Sequence, residues 1–204
     1  MEDEEENLYD IAILLIGSYG VGRRSLINRF LDYKYEDQLK IDGQIIATIR
    51  LKNNQLIKVQ FIIYNSSEKY YQLRPERTYL RKYDGFILTY SINDKYSFNS
   101  LSKAIDNFHI NKNDLNKKPI ILIGTNLDEN YREVSTEEAQ LFANNNNLFA
   151  FYETSAKENI NVNESLNALF EKICVQNSIV PTKEEIKLKN EKKNNKKVKK
   201  TCVK

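Results

Sequence analysis

Residues 11–30 read IAILLIGSYGVGRRSLINRF. A short, continuous apolar run of strand length ends at Gly17, and a helical segment follows. Between them Gly17, Gly20 and Gly22 let the backbone turn so that its N–H groups point inward. The helix that follows adds the positive end of its dipole. Strand, glycine-rich turn and helix in this order make an anion-binding geometry. The spacing of Gly17 and Gly22 places them in register with GxxxxGK[ST], the phosphate loop. Two letters of that pattern differ. Arg23 stands at the lysine, and Arg24 stands where a serine or threonine hydroxyl ligates magnesium. Arginine keeps a positive charge near phosphate but is longer, planar and forked. Arg24 removes a metal ligand and adds repulsion. Pairing Arg24 with Ser25 instead would break the spacing from Gly22.

The rest of the chain repeats the pattern. Apolar runs of strand length occur at 56–64, 85–91, 119–124 and 148–154, and a more alternating one at 44–51 precedes KNNQ, a hairpin turn into the next strand. Helical spacing joins Phe98, Leu101, Ile105 and Phe108, and again Val162, Leu166, Leu169, Phe170 and Ile173. Ser135 with Glu138 forms a capping box, and Asn161 with Glu164 a weaker one. Strands alternating with helices predict a doubly wound α/β domain: a mostly parallel six-stranded sheet with helices on both faces and one antiparallel edge strand.

The chain has 204 residues, which suits one domain with tails. With 41% hydrophobic residues it can fill an interior, and with 3 prolines and 6 glycines it is neither linker-rich nor fibrous. The net charge of +3 hides an acidic arm (residues 1–8, MEDEEENL) and a basic tail (residues 178–204) around a near-neutral body at 9–177. Two cysteines, Cys174 and Cys202, allow neither a zinc spacing nor a disulfide framework and fit a reducing cytosol. The acidic start is no signal peptide, and no apolar run approaches the roughly 20 residues that span a bilayer. The expectation is a cytoplasmic protein, at most peripheral at a membrane. From about residue 178 lysine and asparagine replace the apolar pattern, so the tail is expected to be disordered. His109 reads as a surface residue and Cys174 as core.

Beyond the loop, GFILTYSINDKYSFNSL (85–101), ILIGTNLD (121–128) and ETSAKENINVNE (153–164) carry a specific likeness. With the loop, they make a chain that from about Tyr9 to about Cys174 resembles the Ras superfamily of small GTPases, the Ras/Rap branch most. The resemblance implies a P-loop guanine-nucleotide switch with GTP and GDP as ligands and effector and regulator proteins as partners. It places the nucleotide along Gly17, Ser18, Tyr19, Gly20, Val21, Gly22, Arg23, Arg24 and Ser25. In TNLD, Asp128 falls where the family's aspartate pairs with the guanine N1–H and amino group; Thr125 replaces the family's asparagine, and Asn126 its lysine. Ser155, Ala156 and Lys157 complete the SAK motif, whose alanine N–H meets the guanine O6. Tyr35 falls where an aromatic ring stacks on the base.

The resemblance fails at the metal and catalytic end. Where the family has DTAGQ, this chain has Asn65, Ser66, Ser67, Glu68 and Lys69. Asn65 lacks the charge that holds the magnesium shell. Glu68 replaces the glycine that senses the γ-phosphate, and Lys69 the glutamine that orients water. The switch threonine has no match, with Ile41 or Asp42 near its place. Tyr19 puts bulk where the family prefers glycine, in the path of an arginine finger. An intact Ras-type site alone turns over only at about 3–5 × 10⁻⁴ per second, so little hydrolysis is expected here. Magnesium is not expected to be held, and no catalytic or metal residue is assigned.

Three readings stay open: a pseudo-GTPase adaptor that binds guanine nucleotide weakly or constitutively, a divergent working switch, and a nucleotide-free interaction module in which Arg23 or Arg24 fills the pocket and pairs with a carboxylate. The tail's lysines suit an anionic membrane face. TCVK is not a prenylation box, because Cys202 is one residue too late; Cys202 remains a candidate for palmitoylation. The basic run lacks interleaved aromatics, which ranks nucleic acid below membrane.

Overall fold

The computed structural model describes residues 9–31, 44–51, 56–65, 80–107 and 118–177. The first apolar run becomes strand β1 (Tyr9–Gly17), and the glycine turn leads into helix α1 (Arg23–Phe30). There follow β2 (Gln44–Arg50), β3 (Leu56–Asn65), β4 (Gly85–Ser91), α2 (Lys95–Asn107), β5 (Ile120–Thr125), α3 (Thr136–Asn145), β6 (Ala150–Glu153) and α4 (Val162–Gln176). The strands form one six-stranded sheet in the order β2-β3-β1-β4-β5-β6. Only β2 runs antiparallel, against β3, which is the expected edge hairpin.

Successive residues of β1 feed opposite faces because side chains alternate along a strand. Leu14 and Ile16 join Phe86, Leu88, Tyr90 and Leu122 beneath α2 and α3. Ile13 and Leu15 join Ile87, Ile121 and Ile123 beneath α1 and α4, where Leu26, Leu166, Phe170 and Ile173 close the layer. Every residue of β4 and β5 is buried, which is why those runs are continuously apolar rather than alternating. Each such aliphatic or aromatic side chain contributes about 1.5–3 kcal/mol by leaving water.

Caps set the helix starts. Ser135 Oγ accepts the Glu138 N–H at 3.1 Å and starts α3, while the Glu138 carboxylate turns to Lys95 instead of closing the box. Asp94 caps α2 by accepting the N–H groups of Tyr96 and Ser97. Asn161 does not cap α4 through its side chain. It sits at φ 55°, and its amide donates to the Glu153 carbonyl at 2.8 Å.

The parallel strands all point one way, so the segments after β1, β4, β5 and β6 gather at one edge. The acidic arm 1–8, Tyr35, Ile41, Asp42, the KNNQ turn at 52–55, Ser66 to Lys69, Phe108, His109 and the whole tail with Cys202 lie outside the described residues. Cys174 is buried on α4. Among the described residues no helix is long and apolar enough to cross a membrane.

Candidate functional site

The phosphate loop is built against β4 and α2. A Cβ on Gly17 would stand 2.4 Å from the Thr89 carbonyl oxygen, so β1 and β4 come together there only because residue 17 is glycine. Gly20 and Gly22 take φ of 83° and 78°, the left-handed region, and Gly22 is the N-cap of α1. The Ser18 hydroxyl meets the Ser100 hydroxyl of α2 at 3.0 Å, and Ser100 in turn donates to the Ser97 carbonyl. The loop is thus tied to α2 from outside.

Arg23 is turned into that interior and is only 7% exposed. Its guanidinium donates to the carbonyls of Ser18 and Tyr64, binding the loop to the end of β3. No carboxylate among the described residues pairs with it. Burial, and then the like charge of Arg24, bring its pKa down to about 10. Where the nucleotide-free reading gave Arg23 or Arg24 a carboxylate, Arg23 bonds to backbone carbonyls. Carbonyl dipoles satisfy the N–H groups of a guanidinium without neutralising its charge. Tyr19, 81% exposed, lines a cavity of about 430 Å³ with Gly20, Val21, Gly22, Arg23, Arg24, Ser25 and Ile63.

A second cavity, of about 240 Å³, is lined by Gly22, Ser25, Leu26, Thr125, Asn126, Asp128, Glu129, Thr154, Ala156 and Lys157. The two share Gly22 and Ser25 as walls and so lie side by side. Thr125 Oγ1 donates to Val21 O at 2.7 Å, with Tyr90 O at 3.0 Å, and so ties the loop after β5 to the phosphate loop. Asn126, at φ 63°, donates through its amide to Ser91 Oγ at 2.7 Å. It acts as a brace between β4 and β5 at the place where the family has a long lysine stem. Asp128 Oδ1 accepts from the Ser155 hydroxyl at 2.6 Å, and Oδ2 lies 3.8 Å from the Lys157 ammonium. Ser155 also accepts the Glu158 N–H at 2.9 Å.

The structure brings together every described residue of the expected site, from Gly17 to Ser25, Thr125, Asn126, Asp128 and Ser155 to Lys157. Tyr35 and Lys69 lie outside the described residues, and of Asn65 only the backbone is described, paired with Gly17 at the end of β3. Sequence reading missed Arg29. From the last turn of α1 it donates through Nε to the Ala156 carbonyl and through Nη2 to the Lys157 carbonyl, the latter at 3.1 Å. It also missed Ser91, Ser100 and Glu129. Their partners lie far away in sequence or form no motif.

The residues present suit a phosphorylated ligand: left-handed glycines, a helix start and two guanidinium groups. For magnesium the donor set differs from the motif's: at the position of the hydroxyl ligand stands Arg24, whose guanidinium offers a metal no lone pair.

A Ras family model matches residues 12–175 of the chain. Ras-related protein Rab-9A of Rattus norvegicus is 31% identical over 154 residues, covering 74% of this chain and 76% of its own length. The same protein of Homo sapiens is 30% identical over the same span. Ras-related protein Rab-11B of Dictyostelium discoideum is 34% identical over 165 residues, covering 79% and 73%. These relatives carry Rab names, whereas the sequence motifs pointed most to the Ras/Rap branch.

Proposed function

The chain belongs to the Ras family of small GTPases, and from that premise we propose that it is a pseudo-GTPase: a guanine-nucleotide-binding adaptor, in signalling or trafficking, whose phosphate site runs on arginine charge in place of magnesium. Small GTPases of this family bind GTP and GDP and work through effector and regulator proteins. The finer reading rests on one observation: the buried Arg23, beside Arg24, carries a charge that no carboxylate among the described residues answers. A di- or triphosphate answers it. Guanine is selected at the other end by Asp128 and the Ser155–Lys157 turn, and the two cavities adjoin along Gly22 and Ser25.

Hydrolysis is impaired in this reading because Lys69 replaces the water-orienting glutamine. Tyr19, standing exposed on the phosphate cavity, obstructs an incoming arginine finger. The nucleotide-binding unit is residues 9–177. The tail beyond it attaches the protein peripherally to anionic membrane, each lysine near the surface adding about 1 kcal/mol.

The test is to purify the protein with and without magnesium, denature it and chromatograph what is released. GTP retained without magnesium supports the adaptor. GDP together with measurable turnover means a working switch and contradicts it. A second reading, the nucleotide-free module, draws on the same side chain. Arg23 already fills part of the loop and bonds to its carbonyls. An empty protein of full thermal stability favours that module.

A further inference from the structure

We infer that Arg29 is a positioning residue for base recognition: by holding the carbonyls of Ala156 and Lys157 it turns the Lys157 N–H into the base cavity, where it meets the keto oxygen of a 6-oxopurine. The inference rests on the nucleotide reading above and adds a residue that no motif singles out.

The argument is one of peptide geometry. In a trans peptide the carbonyl of one residue and the N–H of the next point in opposite directions, and no peptide of the described residues is cis. Arg29 draws the Ala156 carbonyl toward the last turn of α1, so the Lys157 N–H points away from that turn. It draws the Lys157 carbonyl the same way, so the Glu158 N–H also points away. The second of these directions is visible: the Glu158 N–H donates to Ser155 Oγ at 2.9 Å, and Ser155 donates to Asp128 at 2.6 Å. The cavity that Ala156, Lys157 and Asp128 line together takes its other wall from Gly22, Ser25 and Leu26 at the opposite, first turn of α1, and that is the side to which we assign the first direction. Neither the Ala156 nor the Lys157 N–H has an acceptor among the described residues. The cavity therefore offers backbone donors beside a carboxylate. That arrangement complements a ring edge with a carbonyl next to an N–H, and it mismatches the 6-amino edge of adenine.

The guanidinium fork makes this a task for arginine, because Nε and Nη2 reach two consecutive carbonyls at once. A lysine here would keep the favourable charge at the end of α1 but would lose the fork. The two roles separate on that substitution.

The experiment titrates the full chain, in chelator, with GDP, inosine diphosphate, ADP and pyrophosphate, for the wild type, Arg29→Lys and Arg29→Met. The expected result is that both variants lose about fivefold to tenfold in affinity for GDP and for inosine diphosphate alike. Both ligands keep the keto group, and only GDP has the 2-amino group. Binding of ADP and pyrophosphate should stay unchanged. Full affinity in Arg29→Lys, or an equal fall for all four ligands, overturns the inference and leaves a helix-end or general packing role. A wild type that binds GDP no better than ADP overturns the guanine reading itself, and the inference with it.

Discussion

Arg23 sits where burial disfavours its charge, and the sign of that effect can be followed with pH. Its pKa falls from the ordinary arginine range to about 10, so between that value and the ordinary range the unfolded chain binds more protons than the folded one. Stability should rise with pH through that window, and the full penalty is present below about pH 10. At neutral pH an anion relieves it. Pyrophosphate at about a hundred times its dissociation constant should raise the melting temperature by roughly 5–10 °C without magnesium. Arg23→Met should abolish most of that shift in a thermal melt with and without the anion; an undiminished shift would place the anion elsewhere. At the base end, Asp128→Ala removes charge-assisted bonds of about 1.5–3 kcal/mol. Preference for GDP over ADP in a competition titration should fall by about 10–100-fold. Selectivity that survives would show the base is read by other groups. Some residues of the site were legible in sequence and others were not. Asp128 and Ser155 to Lys157 follow from fixed motif spacing. Arg29 touches carbonyls 127 and 128 residues away, and nothing local announces such a partner.

Elements were the more legible level. Strands β4 and β5 are buried at every position, and burial on both faces writes a continuous apolar run that reads the same in sequence and structure. Helix starts were read unevenly. Ser135 caps α3 through its own local geometry, and Ser135→Ala should cost about 1 kcal/mol in chemical denaturation. Asn161 was expected to cap α4 but bonds instead to the Glu153 carbonyl of β6, which the turn closed by the Ser155–Ile160 bridge brings near. The join between β1 and β4 gives a sharper test. Gly17→Ala puts a methyl 2.4 Å from the Thr89 carbonyl, backbone against backbone. The two central strands must part, and stability should fall by about 3 kcal/mol. A variant of unchanged denaturation midpoint would mean the strands are looser than their pairing implies.

At the scale of the molecule, one sheet edge collects the arginine pair Arg23 and Arg24 and the carboxylates of Asp128 and Glu129 in adjoining cavities. The family supplies that layout, and this chain has altered one half of it. In the proposed reading Asp128 and the Ser155–Lys157 turn keep the family's guanine-reading residues, while Arg23 and Arg24 stand at the motif positions of its lysine and its magnesium-ligating hydroxyl. The most direct test is GTP affinity of the full chain measured by calorimetry in millimolar magnesium and again in chelator. The account predicts dissociation constants that agree within about threefold. A fall in affinity of more than about a hundredfold on chelation, close to 3 kcal/mol, would show a metal doing the work assigned here to the two arginines, and would contradict it.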